Sequence, residues 1–349
     1  MRIYRGIHHR ELRELATTSG CALTIGNFDG VHRGHQAMLA LLSNEARHRG
    51  LPSCVLSFEP HPRDFFAARS GRAGLAPARI ATLRDKLAEL RRCGIDLTVV
   101  LRFDARLATL TPDAFVEQVL VAGLGARYVL VGDDFRYGAA RAGDYATLDA
   151  AGERLGFDVA RMLSYEVHGE RVSSSAVRAA LAAGDMARAA ALLGRPYAIS
   201  GHVVHGARLG RRLGESAPGA ADGFRTLNLR FAHRQPAAGG IFVVRTHGLG
   251  ERALPGVANL GVRPGVDDSG RVLLEVHCLE WPAGLGEAYG RVVQVELLHK
   301  LRDERRYPDL AALRAGIAAD VAQARQWWAA QGEAVRAGPA PDRAAPVRR

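Results

Sequence analysis

The stretch Thr24–Leu39 reads TIGNFDGVHRGHQAML. An apolar run, Ala22–Ile25, ends in the loop Gly26, Asn27, Phe28, Asp29, Gly30, and the segment after it has helical spacing. Strand, glycine loop and helix form one βα layer, and the pattern recurs. Expected strands Cys54–Phe58, Leu97–Leu101, Tyr128–Val131 and Asp158–Leu163 alternate with expected helices Gly34–His48, Arg79–Cys93, Pro112–Ala122 and Gly143–Leu155. In the second of these helices Ile80, Leu83, Leu87 and Leu90 share one face. Near-continuous apolar strands between helices predict an α/β fold, a doubly wound parallel sheet. Ligands of such sheets bind beyond the C-terminal strand ends, where the opening loop sits.

The second half reads differently. Short β-like runs follow one another with Gly/Pro turns: Ile199–His205, Thr226–Phe231, Ile241–Thr246, Gly256–Leu260, Arg271–Leu279 and Val292–Leu298. That pattern predicts an antiparallel barrel or sandwich, closed by a helix over Asp309–Ala329. Between the halves, Ser174–Gly194 reads as two short helices broken at Gly184-Asp185. The expected domains are therefore residues 1–184 and 185–331, followed by an Ala/Pro/Arg-rich tail, 332–349, with little to bury and expected to be disordered.

The chain has 349 residues, 48% hydrophobic and 24% charged, as in soluble globular proteins. No apolar run approaches the roughly 20 residues that cross a bilayer, so no membrane partner is expected. Met1–Arg13 is charged and lacks the apolar core of a secretory signal. Cys21, Cys54, Cys93 and Cys278 are far apart, which points to reduced thiols in a cytoplasm. A net charge of +11 favours anionic partners. The charge is scattered arginine rather than a lysine block, and no nucleic-acid-binding motif is present. Nucleotides and pyrophosphate are thus favoured over nucleic acid. The expected assembly is a monomer or weak homo-oligomer.

His32 and His35 stand at i, i+3, so on a helix they face the same way. Three uses are open: a metal, a proton, or a phosphate. A zinc site needs three or four ligands, and the nearest further histidine, His61 in FEPHPRDFF, lies between two prolines. A phosphate site needs what the stretch offers: glycines, free N–H groups and a positive dipole end at a helix N-terminus, and imidazole donors. The lysine of a P-loop is missing. For H-x-x-H alone, a chance surface pair is the simplest reading.

GNFDGVHRGH resembles the H-x-G-H signature of the nucleotidylyltransferase superfamily, with the flanking pattern of bacterial bifunctional riboflavin kinase/FAD synthetases. Four more segments match that family in order: FEPHPRDFF (Phe58–Phe66), TLRDKLAEL (Thr82–Leu90), VGDDFRYG (Val131–Gly138) and VSSSAVR (Val172–Arg178). The resemblance spans about residue 5 to 330. It implies a Rossmann-like FMN adenylyltransferase domain in which the FMN phosphate attacks the α-phosphate of ATP, leaving FAD and pyrophosphate. That nucleophile is already an anion, so alignment and charge neutralisation outweigh base catalysis. By resemblance, His32 and His35 are catalytic and donate to the ATP phosphates, within a loop that includes Gly26, Asn27, Asp29 and Gly30. Ser174 and Ser175 cap the next helix, and Arg178 reaches the β/γ phosphates. Asp134 and Tyr137 lie at the flavin, with Phe66, which reads equally as core packing.

The β-rich half resembles the riboflavin kinase domain, which implies the antiparallel β-barrel of the two architectures its strand pattern allows, in GHVVHGARLGRRLG (Gly201–Gly214), GVANLGVRP (Gly256–Pro264), LLEVHCLE (Leu273–Glu280) and ELLHKLRDERRY (Glu296–Tyr307). The family's Pro-Thr-x-Asn metal motif reads FRTLN here, with Arg225 at the proline position, and Glu215–Gly223 is extra chain before it. Alternation along Thr226–Phe231 still puts Thr226 and Asn228 on one face, suited to Mg²⁺. Glu275 is implied as the base that takes the proton of the riboflavin 5′-hydroxyl, and Gly206, Gly210 and Arg211 as part of the ADP loop. The expectation is a two-activity enzyme using ATP and Mg²⁺, with riboflavin, FMN and FAD as substrates and products. The alternative is an FAD synthetase whose kinase half is impaired, or only binds flavin, because of the insertion and Arg225. Deleting Glu215–Gly223 tests this: both chains should convert riboflavin to FMN with ATP, the deletion variant at least as fast. No turnover in either chain would remove the kinase.

Overall fold

The computed structural model describes residues 1–167, 169–205, 226–230, 235–262, 272–281, 285 and 287–331. By contacts the chain divides into two units: Met1–Pro77 with Lys86–Ser174, and Ala78–Asp85 with Ser175–Arg349.

Six strands build the sheet of the first unit: β1 (Arg2–Arg5), β2 (Cys21–Ile25), β3 (Ser53–Glu59), β4 (Leu97–Arg102), β5 (Ala126–Gly132) and β6 (Asp158–Met162). All neighbours are parallel, in the order β1-β4-β3-β2-β5-β6. From β2 the chain steps outward to β3 and β4 on one side, then returns to β5 and β6 on the other. The switch point therefore lies between β2 and β5, which is where such a sheet binds ligands. Successive strand residues serve opposite faces. Leu23, Leu56, Val99 and Val129 join Phe115, Leu120 and Leu148 in one core, while Ala22, Val55 and Leu130 join Leu39, Leu42 and Leu90 in the other.

The helices are α1 (Arg10–Thr17), α2 (Arg33–His48), α3 (Pro62–Arg69), α4 (Leu83–Arg92), α5 (Ala105–Ala108), α6 (Pro112–Phe115) and α7 (Tyr145–Leu155). A π-helical turn, Val116–Val121, continues α6. A small hairpin, β7 (Glu166–Val167) and β8 (Glu170–Arg171), follows the sheet. The sequence reading did not expect β1, α1, α3, α5 or the β7–β8 hairpin. β1 was not expected because Tyr4 is its one buried residue, a weak signal for an edge strand. α3 was not expected because eight residues carry little periodicity; it starts at Pro62, and the His61 Nδ1 caps it by accepting the Arg63 N–H at 3.1 Å. The helix expected from Arg79 begins at Leu83, because Thr82 caps it: its hydroxyl accepts the Asp85 N–H at 3.1 Å and donates to the Asp85 carboxylate at 2.7 Å.

The second unit takes in α8 (Ser174–Ala183) from Ser175 onward and α9 (Met186–Leu193), the pair expected on either side of Gly184-Asp185. Its six strands are β9 (Tyr197–Val204), β10 (Thr226–Arg230), β11 (Gly240–His247), β12 (Leu254–Val262), β13 (Val272–Cys278) and β14 (Val292–Arg302). They close into a barrel, β10-β13-β12-β11-β14-β9, antiparallel throughout. Closure gives the barrel implied by the resemblance rather than the sandwich that strand pattern alone allowed, and leaves no edge of this sheet unpaired. Leu229, Phe242, Val244, Leu260, Leu274, Val276 and Val295 are fully buried. The last helix, α10 (Leu310–Ala330), packs Ala324 and Trp328 against Ile241, Val243 and Val257. Arg302 holds it by a two-pronged bond to Asp320, at 2.8 and 2.6 Å.

Gly206, Gly210, Arg211, Glu215–Gly223, Arg225 and the tail 332–349 lie outside the described residues.

Candidate active sites

The loop after β2 is held in a conformation that most residues avoid. Phe28 and Val31 have left-handed backbones, φ +49° and +41°, beside Gly30 at +81°. Left-handed φ is costly for a β-branched residue. Packing compensates, since Phe28 and Val31 are almost fully buried. From below, the Asn27 carbonyl is pinned by two donors: the Lys86 ammonium at 3.1 Å and the Ser57 hydroxyl at 3.3 Å.

The loop delivers the two histidines to the start of α2. The His32 Nδ1 accepts the His35 N–H at 3.3 Å and so caps the helix. A ring nitrogen that accepts carries no proton, so His32 is the neutral tautomer with its proton on Nε2. The rings stack, with centroids 3.7 Å apart and planes within 15°. Burial, with help from His32 and Lys86, holds the His35 pKa well below the usual imidazole value. Both rings are therefore neutral at pH 7. Among the described residues, the His35 Nδ1 and the Asn27 Oδ1 are buried without a hydrogen-bond partner. A methyl at Gly34 would lie 3.3 Å from both the His32 Nδ1 and the Val172 carbonyl, so glycine lets residues 172–174 approach. There the Ser174 hydroxyl donates to the Asp29 carbonyl at 3.4 Å.

The remaining residues expected at this site are placed as follows. Ser175 and Arg178 belong to the second unit, where the Arg178 Nε donates to the Ala78 carbonyl at 2.6 Å. Phe66 is half exposed and stands at the rim of an edge-to-face group with Phe65 and Phe103, which also packs on Phe58. The Tyr137 ring is buried between Phe115 and Phe135. The Asp134 side chain is largely exposed, 3.9 Å from Arg171. Sequence reasoning missed Lys86, Ser57 and Phe103. Lys86 did leave a signal: it lies one turn from both Leu83 and Leu90, a charge on the apolar face of its helix.

In the barrel, antiparallel register sets Asn228 opposite Glu275, and Glu275 opposite Asn259. Directly opposed residues are about 5 Å apart at Cα and share a face. One row thus crosses β10, β13 and β12 as amide, carboxylate, amide. Thr226 lies two residues along, opposite His277. Among the described residues, the Oδ1 atoms of Asn228 and Asn259 are buried without a partner. Asn259 was missed because GVANLGVRP reads as an apolar strand with one polar interruption. No group of three His, Cys, Asp or Glu side chains is gathered as a metal site among the described residues; the oxygens this row offers are amide, hydroxyl and one carboxylate.

A parallel sheet with a polar cradle at its switch point, and a separate closed barrel with its own polar row, make a two-unit fold with two candidate sites. An FAD synthetase family model matches residues 14–176, and a riboflavin kinase family model matches residues 193–328. The chain belongs to the bifunctional riboflavin kinase/FMN adenylyltransferase family. It is 45% identical to the protein so named from Escherichia coli K12, covering 94% of this chain and 98% of the relative. The protein of that name from Pseudomonas fluorescens is 43% identical, covering 93% and 97%, and that from Haemophilus influenzae 38%, covering 94% and 99%. A crystallised Streptococcus pneumoniae protein, described as a macrolide-efflux protein, superposes with a TM-score of 0.70 at 24% identity, over 94% of this chain and all of that one. At that identity the likeness concerns the fold alone.

The lowered pKa of His35 ties stability to pH. The unfolded chain binds this proton near pH 6.5, before the folded chain does. Its contribution is therefore full above about pH 6.5 and lost as pH falls from there towards the folded pKa. His35→Gln should flatten the loss of urea stability on acidification by about 1 kcal/mol per pH unit in that window. Parallel curves for the two proteins would contradict the assignment.

Proposed function

We propose that the chain carries out two ATP-dependent reactions in succession. The barrel unit phosphorylates riboflavin to FMN, and the sheet unit transfers an adenylyl group from ATP to FMN, releasing pyrophosphate and leaving FAD. As the motifs divide the chain, adenylyl transfer belongs to residues 1–184 and phosphorylation to 185–331. The observation that carries the reading is that buried polar atoms without partners sit on the motif residues in each unit: Asn27 and His35 in one, Asn228 in the other.

The two reactions ask different things of their sites. In adenylyl transfer an oxygen of the FMN phosphate forms the bond to the ATP α-phosphorus, and the bond to the bridging oxygen of pyrophosphate breaks. No proton has to leave the nucleophile. The neutral imidazoles of His32 and His35 act as hydrogen-bond donors to phosphate oxygens, with the N-terminus of α2 behind them. Gly26, Asp29, Gly30 and Ser174 shape the loop, and Ser175 and Arg178 are proposed to complete the phosphate contacts. The aromatic group at Phe66, with Asp134 and Tyr137, is the proposed flavin side.

In phosphorylation the riboflavin 5′-hydroxyl is neutral and must lose a proton as it attacks the γ-phosphorus. Glu275 is the carboxylate proposed to take it, help typically worth about 10²–10⁴-fold. The donor set beside it is neutral oxygen, which fits a hard cation that keeps most of its waters. Thr226 and Asn228 would hold Mg²⁺, which supplies neutralisation of phosphate charge. Gly206, Gly210 and Arg211 are the proposed ADP loop. The in-register row of Asn228 and Glu275 favours a working kinase over the impaired alternative. Among the described residues no helix is long and apolar enough to cross a membrane. The free cysteines support a cytoplasmic setting, and we propose a monomer or weak homo-oligomer.

One assay tests the reading. With riboflavin and Mg·ATP, chromatography over time should show FMN and then FAD. Glu275→Gln should slow FMN formation by about 10²–10⁴-fold while FMN supplied directly still becomes FAD at an unchanged rate. A natural chain that forms neither product, or a variant that loses both reactions together, would overturn it.

A further inference from the structure

Lys86 is a buried cation, 2% exposed, on the apolar face of α4. A buried ammonium is costly unless its hydrogen bonds are made. Here its Nζ donates to the Asn27 carbonyl and to the Ser57 hydroxyl, both at 3.1 Å, and the Glu59 carboxylate lies 4.0 Å away. The same Asn27 carbonyl also accepts from Ser57. The ammonium thus supports the loop that carries the histidines, at the residue whose side-chain Oδ1 is left buried without a partner.

A nucleotide brings several negative charges to this crevice, and the histidines are poor carriers of the opposing charge. The His32 Nδ1 is occupied as an acceptor, which fixes that ring as neutral. The His35 ring stacks on it at 3.7 Å, and two cations at that distance in a buried site would repel strongly. We propose that Lys86 is a positioning residue for adenylyl transfer: its ammonium holds the phosphate loop through Asn27 and supplies the standing positive charge beside which His32 and His35 serve as neutral donors. This rests on the adenylyltransferase reading above. The charged or titratable groups that act on His35 are His32, which caps its helix, and Lys86 from α4, and Lys86 in turn faces Glu59 from β3 at 4.0 Å. The Lys86 charge is one of the forces that keep the His35 pKa low, after burial and His32.

The test uses the full chain and three variants, Lys86→Met, Lys86→Gln and Lys86→Arg. Glutamine keeps polar contacts to Asn27 and Ser57 without charge, and serves if methionine folds poorly. The His35 titration is followed by NMR of histidine-labelled protein, alongside the pH profile of FAD formation from FMN and ATP. Without the charge, the His35 midpoint should rise by about one pH unit, and the acid limb of FAD formation should rise with it. The kcat/KM for ATP at pH 7 should fall at least about tenfold. Arginine should retain the low midpoint and acid limb. Riboflavin phosphorylation in the same samples should stay near the natural level, showing that the chain is folded. If the midpoint and acid limb stay in place in both neutral variants, even with a slower rate, Lys86 is a packing residue and the proposal fails. If the natural chain forms no FAD, the adenylyltransferase reading fails, while the titration still judges Lys86.

Discussion

Two imidazole rings stacked 3.7 Å apart cannot readily both become imidazolium cations, because the like charges repel. Much of the first site follows from that constraint. In the adenylyl transfer proposed above the rings serve phosphate as donors rather than as cations, so positive charge has to come from another group, and the neighbouring buried ammonium is Lys86. The ammonium in turn needs acceptors, which accounts for Asn27 presenting its carbonyl inward and Ser57 its hydroxyl. The left-handed backbones of Phe28 and Val31 are the conformational cost of that turn, held by the packing of both side chains. The switch point of the parallel sheet supplies the place, and the start of α2 supplies the N–H groups.

The two units answer two nucleophiles of unlike chemistry. FMN phosphate arrives ionised, so the site proposed for it on the sheet needs donors and a pinned loop rather than a base. Riboflavin arrives as a neutral alcohol, and the barrel offers a carboxylate, Glu275, between two amides. Antiparallel register makes this row without any local motif: β10, β13 and β12 each contribute one residue, and strand alternation turns all three to the same face.

Much of this was legible in the sequence, for identifiable reasons. The core strands were long apolar runs with glycine loops at their ends, and the barrel strands carried period-two alternation, so both architectures could be read. β1 and α3 could not, because a four-residue edge strand with one buried side chain and an eight-residue helix behind two prolines give almost no periodic signal. His32 and His35 were visible as a pair, but their charge state was not. It depends on a 3.3 Å hydrogen bond and a stacking distance that only the folded chain defines. Lys86 and Asn259 were missed for a related reason. Each is a polar residue in an apolar segment, and what gives it a role is a partner far away in sequence, 59 residues for Lys86 and Asn27.

Phosphate binding at the first site depends on the protonation of the histidines, and ¹⁵N chemical shifts report it directly. In the full chain at pH 7, saturated with FMN and a non-hydrolysable ATP analogue, both His32 and His35 should be neutral, with the His32 proton on Nε2. A doubly protonated ring at either position, or an Nδ1–H tautomer of His32, would contradict it.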